Sequence, residues 1–237
     1  MPNNYFKFKQ FTIYQNNCAM KVGTDGVLLG AFARIKGIKT ILDIGTGTGL
    51  IALMLAQRSN ANITAIEIEK QASNQAKINI EKSIFKKQIN IKNISLQRFY
   101  KKNIEKFDLI VSNPPYFQNS YKSDTNERTI ARHTTELTYN ELISISAKIL
   151  NNNGYICIII PKDEEGNIEK ISKINKLFII EKINIKPTSQ KPSKRIIITF
   201  SKIKKLLKES EIIIETTGRH NYSKEYINLT KDFYLNF

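Results

Sequence analysis

The sequence has few of the residues that bind metals or form disulfides. Its 237 residues include two cysteines, Cys18 and Cys157, and two histidines, His133 and His220. The members of each pair lie far apart in the chain, so neither a metal-ligand spacing nor a disulfide framework is visible. We therefore expect no bound metal and two reduced thiols.

Long apolar segments are also missing. No apolar run approaches the ~20 residues needed to span a bilayer. The first five residues, MPNNY, lack the charged-then-apolar layout of a secretory signal. These absences favour a soluble, cytoplasmic protein without a membrane partner. The sequence leaves the oligomeric state open, with a monomer favoured.

Negative charge is scarce. Lys and Arg number 37 against 21 Asp and Glu, which gives a formal net charge of +16. Such an excess favours a polyanionic partner such as a nucleic acid. A codon bias toward Ile, Asn and Lys is the alternative explanation, because these residues dominate the whole chain. Residues 168–208 hold about a dozen Lys and Arg against Glu169 and Glu181, a local excess able to attract a phosphate backbone.

The hydrophobic pattern predicts an α/β fold. Short β-branched runs alternate with segments of helical periodicity, as in βαβ units around a parallel sheet. The predicted strands are 40–44, 62–68, 89–94, 107–112, 154–161, 176–185 and 195–201, and the predicted helices are 27–33, 50–58, 70–83, 139–150, 164–174 and one from Ser223. Because short turns separate the later strands, we expect seven strands in a doubly wound sheet that ends in an antiparallel hairpin. The chain reads as one domain (1–237), with a preface (1–39), a core (40–202) and an extension (203–237) that supplies a short strand from Glu211.

A glycine-rich loop follows the first predicted core strand. Residues 41–52 read ILDIGTGTGLIA, in which Gly45, Gly47 and Gly49 separate a strand from an apolar helix. Glycines there allow a sharp turn and a close approach of backbone N–H groups to a ligand. The loop therefore predicts a site for a nucleoside-sized cofactor.

Two acids narrow the class of cofactor. Gly47-x-Gly49-x-x-Ala52 also satisfies the loose dinucleotide fingerprint, so a dehydrogenase remains open on the glycines alone. Asp43 argues against it, because a carboxylate suits the ammonium of a methionine moiety and repels a pyrophosphate. Glu67 ends the next strand and is expected to bind ribose hydroxyls in either class. Glu69 lies close enough in sequence to substitute for it.

The fourth predicted core strand runs into the tetrapeptide NPPY at residues 113–116. Two prolines fix the backbone at the carboxyl edge of the sheet, where ligands bind. The Asn113 side-chain oxygen and the Pro114 carbonyl would accept hydrogen bonds from an exocyclic amino group, whose lone pair is otherwise delocalised, and Tyr116 would stack on the ring. Positioning and desolvation would then carry much of the catalysis. On the residues alone, this pattern points to methylation of an amino or amide nitrogen.

At these residues the chain resembles the class I, Rossmann-like S-adenosylmethionine methyltransferases with an Asn-Pro-Pro-Tyr motif. Residues 8–12 (FKQFT) and 18–31 (CAMKVGTDGVLLGA) resemble the start of the bacterial tRNA1(Val) adenine-N6 methyltransferases. Residues 53–58, 221–226 and 233–235 are similar to that family too. The resemblance implies methylation of the tRNA adenosine just 3′ of the anticodon, with S-adenosylmethionine as the cofactor.

The resemblance also suggests further site residues. Lys21, Thr24 and Asp25 match the family's preface and would lie beside the methionine end of the cofactor, although Gly23 and Gly26 allow a purely structural turn. Ser95 stands where such enzymes often carry an acid that contacts the cofactor's adenine amino group, and its hydroxyl is a weaker acceptor.

Two further residues follow the NPPY motif. Arg132 and His133 would contact RNA phosphate or line the pocket. A general base at His133 is not needed, because the methylated amine can release its proton to water.

Two alternatives remain. Protein glutamine-N5 methylation on a release factor shares the NPPY motif, but it usually goes with a separate helical N-terminal domain, and the ~40 residues before the first core strand leave no room for one. A non-catalytic nucleic-acid-binding protein on a methyltransferase fold is the other alternative, and the intact glycine loop and NPPY motif argue against it.

Overall fold

The computed structural model describes residues 4–16, 21–102, 105–115 and 137–237. Ten strands and seven α-helices lie within these ranges. The strands are β1 Tyr5–Lys7, β2 Thr12–Tyr14, β3 Thr40–Ile44, β4 Asn62–Glu67, β5 Ile89–Asn93, β6 Phe107–Ser112, β7 Leu150–Pro161, β8 Phe178–Thr188, β9 Arg195–Ser201 and β10 Lys208–Glu215. The helices are α1 Thr24–Phe32, α2 Leu50–Arg58, α3 Lys70–Glu81, α4 Leu96–Lys102, α5 Tyr139–Ile149, α6 Glu165–Ile174 and α7 Lys224–Thr230, and a 3₁₀ turn covers Lys162–Glu164.

Eight strands form one sheet in the order β10-β8-β9-β7-β6-β3-β4-β5. All neighbours are parallel except those of β9, which runs antiparallel to both β7 and β8. The chain passes from β3 outward to β4 and β5 and then returns to β6 on the other side of β3. Strands β3 and β6 therefore flank a topological switch point, where α/β sheets bind ligands beyond the carboxyl ends of the strands. We call this end of the sheet the carboxyl edge and the opposite end the amino edge.

Helices cover both faces of the sheet, as a parallel sheet of β-branched residues requires. On the first face, α1, α2 and parts of α3 and α7 pack with the β1–β2 hairpin in one apolar cluster that includes Ile41 and Leu109. On the second face, α4, α5 and α6 form another cluster with Leu42 and Ile110. Successive strand residues thus face opposite layers, in keeping with the two-residue period of a strand. The described parts of the preface and of the extension both contribute to the apolar cluster on the first face.

The seven predicted core strands are present, with a mostly parallel sheet and an antiparallel β8–β9 pair near its end. Strands β3, β6 and β9 and helix α2 have the predicted bounds. Strand β7 begins at Leu150, four residues before its predicted start, and follows α5 without a loop. Its early part is anchored where Asn151 Nδ2 donates to Asp108 Oδ1 at 2.7 Å.

Several elements go beyond the sequence prediction. Strand β10, predicted as a short strand from Glu211, begins at Lys208 and extends the sheet to eight strands, paired in parallel with β8. Its register sets Glu209 opposite Lys182, and the Lys186–Glu211 ion pair at 2.8 Å also joins the two strands. Helix α4 follows β5 directly and buries Leu96 and Phe99. The β1–β2 hairpin is likewise new, and it packs against the terminal segment.

Candidate active site

The glycine loop and the NPP segment lie side by side at the carboxyl edge. Ile44, the last residue of β3, is paired with Ser112, the last residue of β6. The Ser112 hydroxyl donates to the Ile44 carbonyl at 2.9 Å, which ties the two strand ends together. Since neighbouring strands lie ~4.8 Å apart, the loop after β3 and Asn113 after β6 border one crevice. The structure thus brings together the two motifs that the sequence separates by more than 60 residues.

The backbone of the loop requires glycine at its three positions. Gly45, Gly47 and Gly49 have φ values of +70°, +56° and +84°, a region that L side chains rarely adopt. A Cβ at Gly45 or Gly47 would meet no atom within 4 Å, so that side of the loop is open. A Cβ at Gly49 would lie 3.5 Å from the Ala76 Cβ. Gly45 and Gly47 therefore border space for a ligand, whereas Gly49 also packs against α3.

Asp43 lies beneath this loop. Its side chain is fully buried, and its Oδ2 accepts a hydrogen bond from the Thr46 hydroxyl at 2.6 Å. Its Oδ1 is buried without a hydrogen-bond partner among the described residues. Burial raises the pKa of Asp43 to about 7 and the Glu67 carboxylate adds to this increase, while hydrogen bonds from Thr46 and the Ala52 backbone oppose it. In this structure Asp43 holds the loop, and its predicted contact with a cofactor ammonium stays a prediction.

Glu67 also contacts the glycine loop. It is buried, and its two oxygens accept the backbone N–H groups of Gly47 at 2.9 Å and Glu69 at 3.0 Å. A carboxylate has about four acceptor positions, so Glu67 retains capacity for hydroxyl donors. Glu69, the alternative acid, instead caps α3 by accepting the Ala72 N–H at 2.9 Å. Of the two acids, Glu67 is therefore the one placed beside the loop.

Ser95 caps a helix. Its hydroxyl oxygen accepts the Arg98 N–H at 3.2 Å, and its carbonyl accepts the Phe99 N–H at 2.8 Å, so Ser95 begins α4. The side chain is half-buried. Its hydroxyl proton is not needed for this cap, because the oxygen acts as the acceptor. The predicted contact with the adenine of a cofactor is left as a prediction.

The preface reaches the same edge of the sheet. Helix α1 begins at the exposed Thr24, and the Asp25 carboxylate binds the guanidinium of Arg195 with Nε 3.0 Å from Oδ2. Arg195 opens β9 opposite Pro161, the last residue of β7, and so lies at the carboxyl edge. Lys21 is exposed just before α1. The structure thus engages Asp25 in an ion pair that the sequence does not reveal.

Asn113 presents the clearest chemical feature of the site. Its Oδ1 is buried and has no hydrogen-bond partner among the described residues. Leaving such an acceptor unpaired costs about 1–3 kcal/mol, which a ligand donor would recover. Pro114 is buried behind it and Pro115 is exposed. Tyr116, Arg132 and His133, also predicted as site residues, lie outside the described residues.

Asn79 links the preface to the glycine loop, a role that sequence reasoning missed. Its side chain is buried in α3, where Nδ2 donates to the Thr48 and Tyr14 carbonyls, each at 2.9 Å. Its Oδ1 accepts the Tyr14 N–H at 2.9 Å. A polar residue in a helix carries no sequence signal for such a role. Asn79 therefore fastens β2 to the glycine loop.

Some features are absent from the described ranges. There, no group of three or more His, Cys, Asp or Glu side chains is arranged to hold a metal ion. Nor does any helix in the same ranges have the length and apolar character needed to cross a membrane.

Comparisons with known proteins agree with this geometry. Residues 20–179 match the family model of the Methyltransferase small domain. A tRNA1(Val) (adenine(37)-N6)-methyltransferase of Trichodesmium erythraeum is 44% identical over 100% of both chains. One from Haemophilus influenzae is 43% identical over 98% of this chain and 99% of its own. Among solved structures, a predicted O-methyltransferase from Agrobacterium tumefaciens matches with a TM-score of 0.72 at 17% identity, covering 88% of this chain and 96% of its own. At that identity the match supports the fold alone.

Proposed function

Because the chain belongs to the Methyltransferase small domain family, and within it to the tRNA1(Val) (adenine(37)-N6)-methyltransferases, we propose that it methylates N6 of adenine 37 in tRNA1(Val) with S-adenosylmethionine. The observation that carries this proposal is the buried Oδ1 of Asn113, which has no hydrogen-bond partner among the described residues, next to an open glycine loop at the switch point. An acceptor there without a donor suits an amino group brought by the substrate.

The residues around the loop fit the cofactor. Backbone at Gly45 and Gly47 borders open space, and Glu67 retains acceptor positions that suit ribose hydroxyls. Asp43 lies beneath the loop, and a nearby ammonium would favour its ionised form, which a pKa of about 7 makes accessible at neutral pH. Lys21, Thr24, Asp25 and Ser95 remain proposed cofactor contacts, with Asp25 and Ser95 already engaged by Arg195 and by the start of α4. When bound, S-adenosylmethionine supplies an electrophilic methyl group.

Asn113 and Pro114 prepare the acceptor nitrogen. The Asn113 Oδ1 accepts one N–H of the adenine amino group, and the Pro114 carbonyl accepts the other. These two bonds hold the nitrogen in place and favour a more pyramidal, more nucleophilic geometry. Tyr116 would stack on the ring. After transfer, the extra proton on nitrogen is released to water.

The tRNA accounts for the positive charge. An anticodon-loop base must leave its stack to enter the site, and exposed lysines would hold the phosphates around it. Several cations are already paired within the protein: Lys182 with Glu165 at 2.8 Å, Lys186 with Glu211 and Arg195 with Asp25. The charge available to RNA is therefore smaller than the sequence count. Arg132 and His133 remain proposed RNA contacts.

The proposal extends to the domain organisation, the oligomeric state and the location of the protein. We infer that preface, core and extension act as a single domain, since Lys9 bonds to the carbonyls of Lys231 and Phe237 and residues of both ends pack in one apolar cluster with α2. We further infer a cytoplasmic monomer, as expected for an enzyme that meets free tRNA. The alternative function, glutamine methylation on a release factor, gains no support from the comparisons, whose curated relatives are named for tRNA.

One experiment tests the function. The protein is incubated with labelled S-adenosylmethionine and total tRNA from cells that lack the modification, and the nucleosides are then analysed. We expect N6-methyladenosine in valine tRNA. A parallel reaction with unmodified release factor serves as the comparison. Label in the protein and none in tRNA would overturn the proposal in favour of glutamine methylation, and label in neither would favour a non-catalytic protein.

A further inference from the structure

A second cavity opens on the protein, away from the glycine loop. It has a volume of about 890 Å³ and lies between the β1–β2 hairpin, the start of α1, the ends of β8 and β10, and the segment after α7. Six aromatic side chains line it: Tyr5, Phe6, Tyr222, Tyr226, Tyr234 and Phe237. Neither the glycine loop nor the NPP segment contributes to it.

The rings pack against one another and form an aromatic wall. Tyr222 stacks on Tyr226 with centroids 5.2 Å apart, and Phe237 meets Tyr222 edge-on at 5.1 Å. Tyr226 is 2% exposed, and its hydroxyl lies 3.2 Å from that of Tyr234. Tyr5, in contrast, is 51% exposed at the mouth of the cavity. The packed rings form the floor, whereas Tyr5, whose ring centroid lies 6.3 Å from that of Tyr14, exposes part of its surface to a flat ligand.

The cavity lies at the same edge of the sheet as the active site. Its lining includes Pro187 near the end of β8, Glu215 at the end of β10 and Thr24 at the start of α1. All three positions belong to the carboxyl edge, where β3 and β6 also end. Three strand spacings separate β6 from β8, on the order of 14 Å at ~4.8 Å each. A ligand that extends from the active site along this edge reaches the cavity.

Three cations lie in or beside the cavity, together with the acids Glu215 and Glu225. Lys7 lines it and is exposed. Arg219 and Lys224 are exposed beside the lining residues His220 and Tyr222 in the chain. The one lining acid, Glu215, accepts the backbone N–H of His220 at 2.8 Å through Oε1. Aromatic faces rimmed by cations are the combination that binds single-stranded nucleic acid, with bases on the rings and phosphates on the cations.

We propose that this aromatic cavity binds an unpaired base of the RNA substrate that flanks the methylated adenine. The inference rests on the proposed function for the identity of the RNA. Drawing one base out of the anticodon loop breaks its stacking with its neighbours. An aromatic wall at the same edge gives a displaced neighbour a new stacking partner and thereby holds the loop open during transfer.

The test is a double-mutant cycle in which one protein side chain and one RNA base are removed singly and together. The probes are the anticodon stem-loop of tRNA1(Val) and a set of copies, each with one abasic nucleotide beside adenine 37. Fluorescence anisotropy gives the Kd of each RNA for the wild type and for Tyr5→Ala. We expect one abasic position to weaken wild-type binding about tenfold, within the range for base–aromatic stacking. Tyr5→Ala should weaken the binding of intact RNA to a similar degree. It should cause little further loss of affinity for the RNA that is abasic at that position.

Control variants distinguish an effect on RNA binding at the cavity from an effect on folding or on the cofactor site. Tyr100→Ala removes another exposed tyrosine, 36% exposed on α4 at the second face, and should leave every Kd unchanged. Tyr5→Phe keeps the ring and should restore binding. Unchanged S-adenosylmethionine affinity in Tyr5→Ala, measured by calorimetry, shows an intact cofactor site.

The remaining outcomes are distinguishable. Methylation of intact tRNA by the wild type, with no abasic position coupled to Tyr5, overturns the cavity proposal and leaves the function standing. If Tyr5→Ala lowers the affinity for every RNA by the same factor, Tyr5 supports the fold and the cavity proposal is also overturned. If the stem-loop neither binds nor is methylated, both proposals fail.

Discussion

At the residue scale, Asn113 is the side chain on which transfer depends most. We expect Asn113→Ala to lower the rate of methyl transfer by at least about 100-fold, the loss typical when one preorganised hydrogen-bonding group is removed. Cofactor affinity should stay within about twofold, because the loop that binds it is untouched. Single-turnover methylation and calorimetric titration with S-adenosylmethionine measure the two quantities. A variant with the wild-type rate would refute the role of Oδ1.

Asp43 gives the protein a pH-dependent stability. Its pKa is about 7 in the folded protein and ~3.9 when unfolded. The folded state thus binds the extra proton, so the contribution of Asp43 to stability is fully present below pH ~4 and is lost as the pH rises through ~7. Asp43→Asn cannot ionise and should lack this fall, a relative gain of at most roughly 3 kcal/mol between pH 5 and pH 8, because about two pKa units of the difference lie in that range at 1.36 kcal/mol per unit. Urea unfolding of both proteins at pH 5 and pH 8 measures this difference. The same change in unfolding free energy with pH in both proteins would contradict the prediction.

The sequence could predict which residues cluster but not what each one touches. Gly45, Gly47 and Glu67 were recognisable because strand ends and glycines have fixed meanings in an α/β sheet. The contact of Gly49 with α3 depends on the packing of a distant helix. The Asp25–Arg195 pair joins residues 170 apart, and no local pattern encodes such a partner. The cofactor and RNA contacts of the predicted site residues remain predictions.

At the element scale, the packing of α1 on α2 depends on a missing side chain. A Cβ at Gly30 would lie 2.7 Å from Met54 Sδ and 2.9 Å from Met54 Cβ, and Met54 is fully buried. Gly30→Ala should therefore force the helices apart and cost about 1–3 kcal/mol. Gly166→Ala in α6 is the matched control, since a Cβ there meets nothing within 4 Å.

The control should be neutral or stabilise by up to about 1 kcal/mol, because alanine favours the helix. Thermal and urea unfolding of the two variants give the comparison. Equal stability of both variants would mean that α1 and α2 adjust without strain.

Elements with a strong period were predictable, and short or polar ones were not. Strands β3 and β6 and helix α2 are dense in apolar residues and had the right bounds. Helix α4 has seven residues, LQRFYKK, too few for a helical period to stand out. Strand β10 begins with the polar residues KESE, so only its apolar end suggested a strand. Its place in the sheet depends on backbone pairing with β8 and on ion pairs such as Lys186–Glu211, which sequence alone does not reveal.

For the whole molecule, the fold divides the basic segment between two edges of the sheet. Lys191 and Lys194 are exposed in the turn between β8 and β9, at the carboxyl edge beside the active site. Lys204 and Lys208 are exposed between β9 and the first residue of β10, at the amino edge. Only the first pair faces the side where tRNA is proposed to bind.

We expect the double variant Lys191→Gln/Lys194→Gln to weaken tRNA binding and to flatten its salt dependence. The slope of log K against log salt should become shallower by about 0.9 for each lysine that contacts a phosphate. Lys204→Gln/Lys208→Gln removes the same charge at the other edge and should change neither. Filter binding over a salt series measures both variants. Equal effects from the two pairs would assign the charge to nonspecific attraction.

The contact between the preface and the terminal segment has a consequence for the order of assembly. Lys9 donates through Nζ to the Lys231 carbonyl, 222 residues away, and its backbone N–H donates to the Phe233 carbonyl. Closing so long a loop costs more entropy than joining neighbouring strands such as β3 and β4. The crevice at the switch point depends on those nearer contacts, whereas the aromatic cavity needs both distant segments. We therefore expect a folding chain to form the crevice between β3 and β6 before the aromatic cavity.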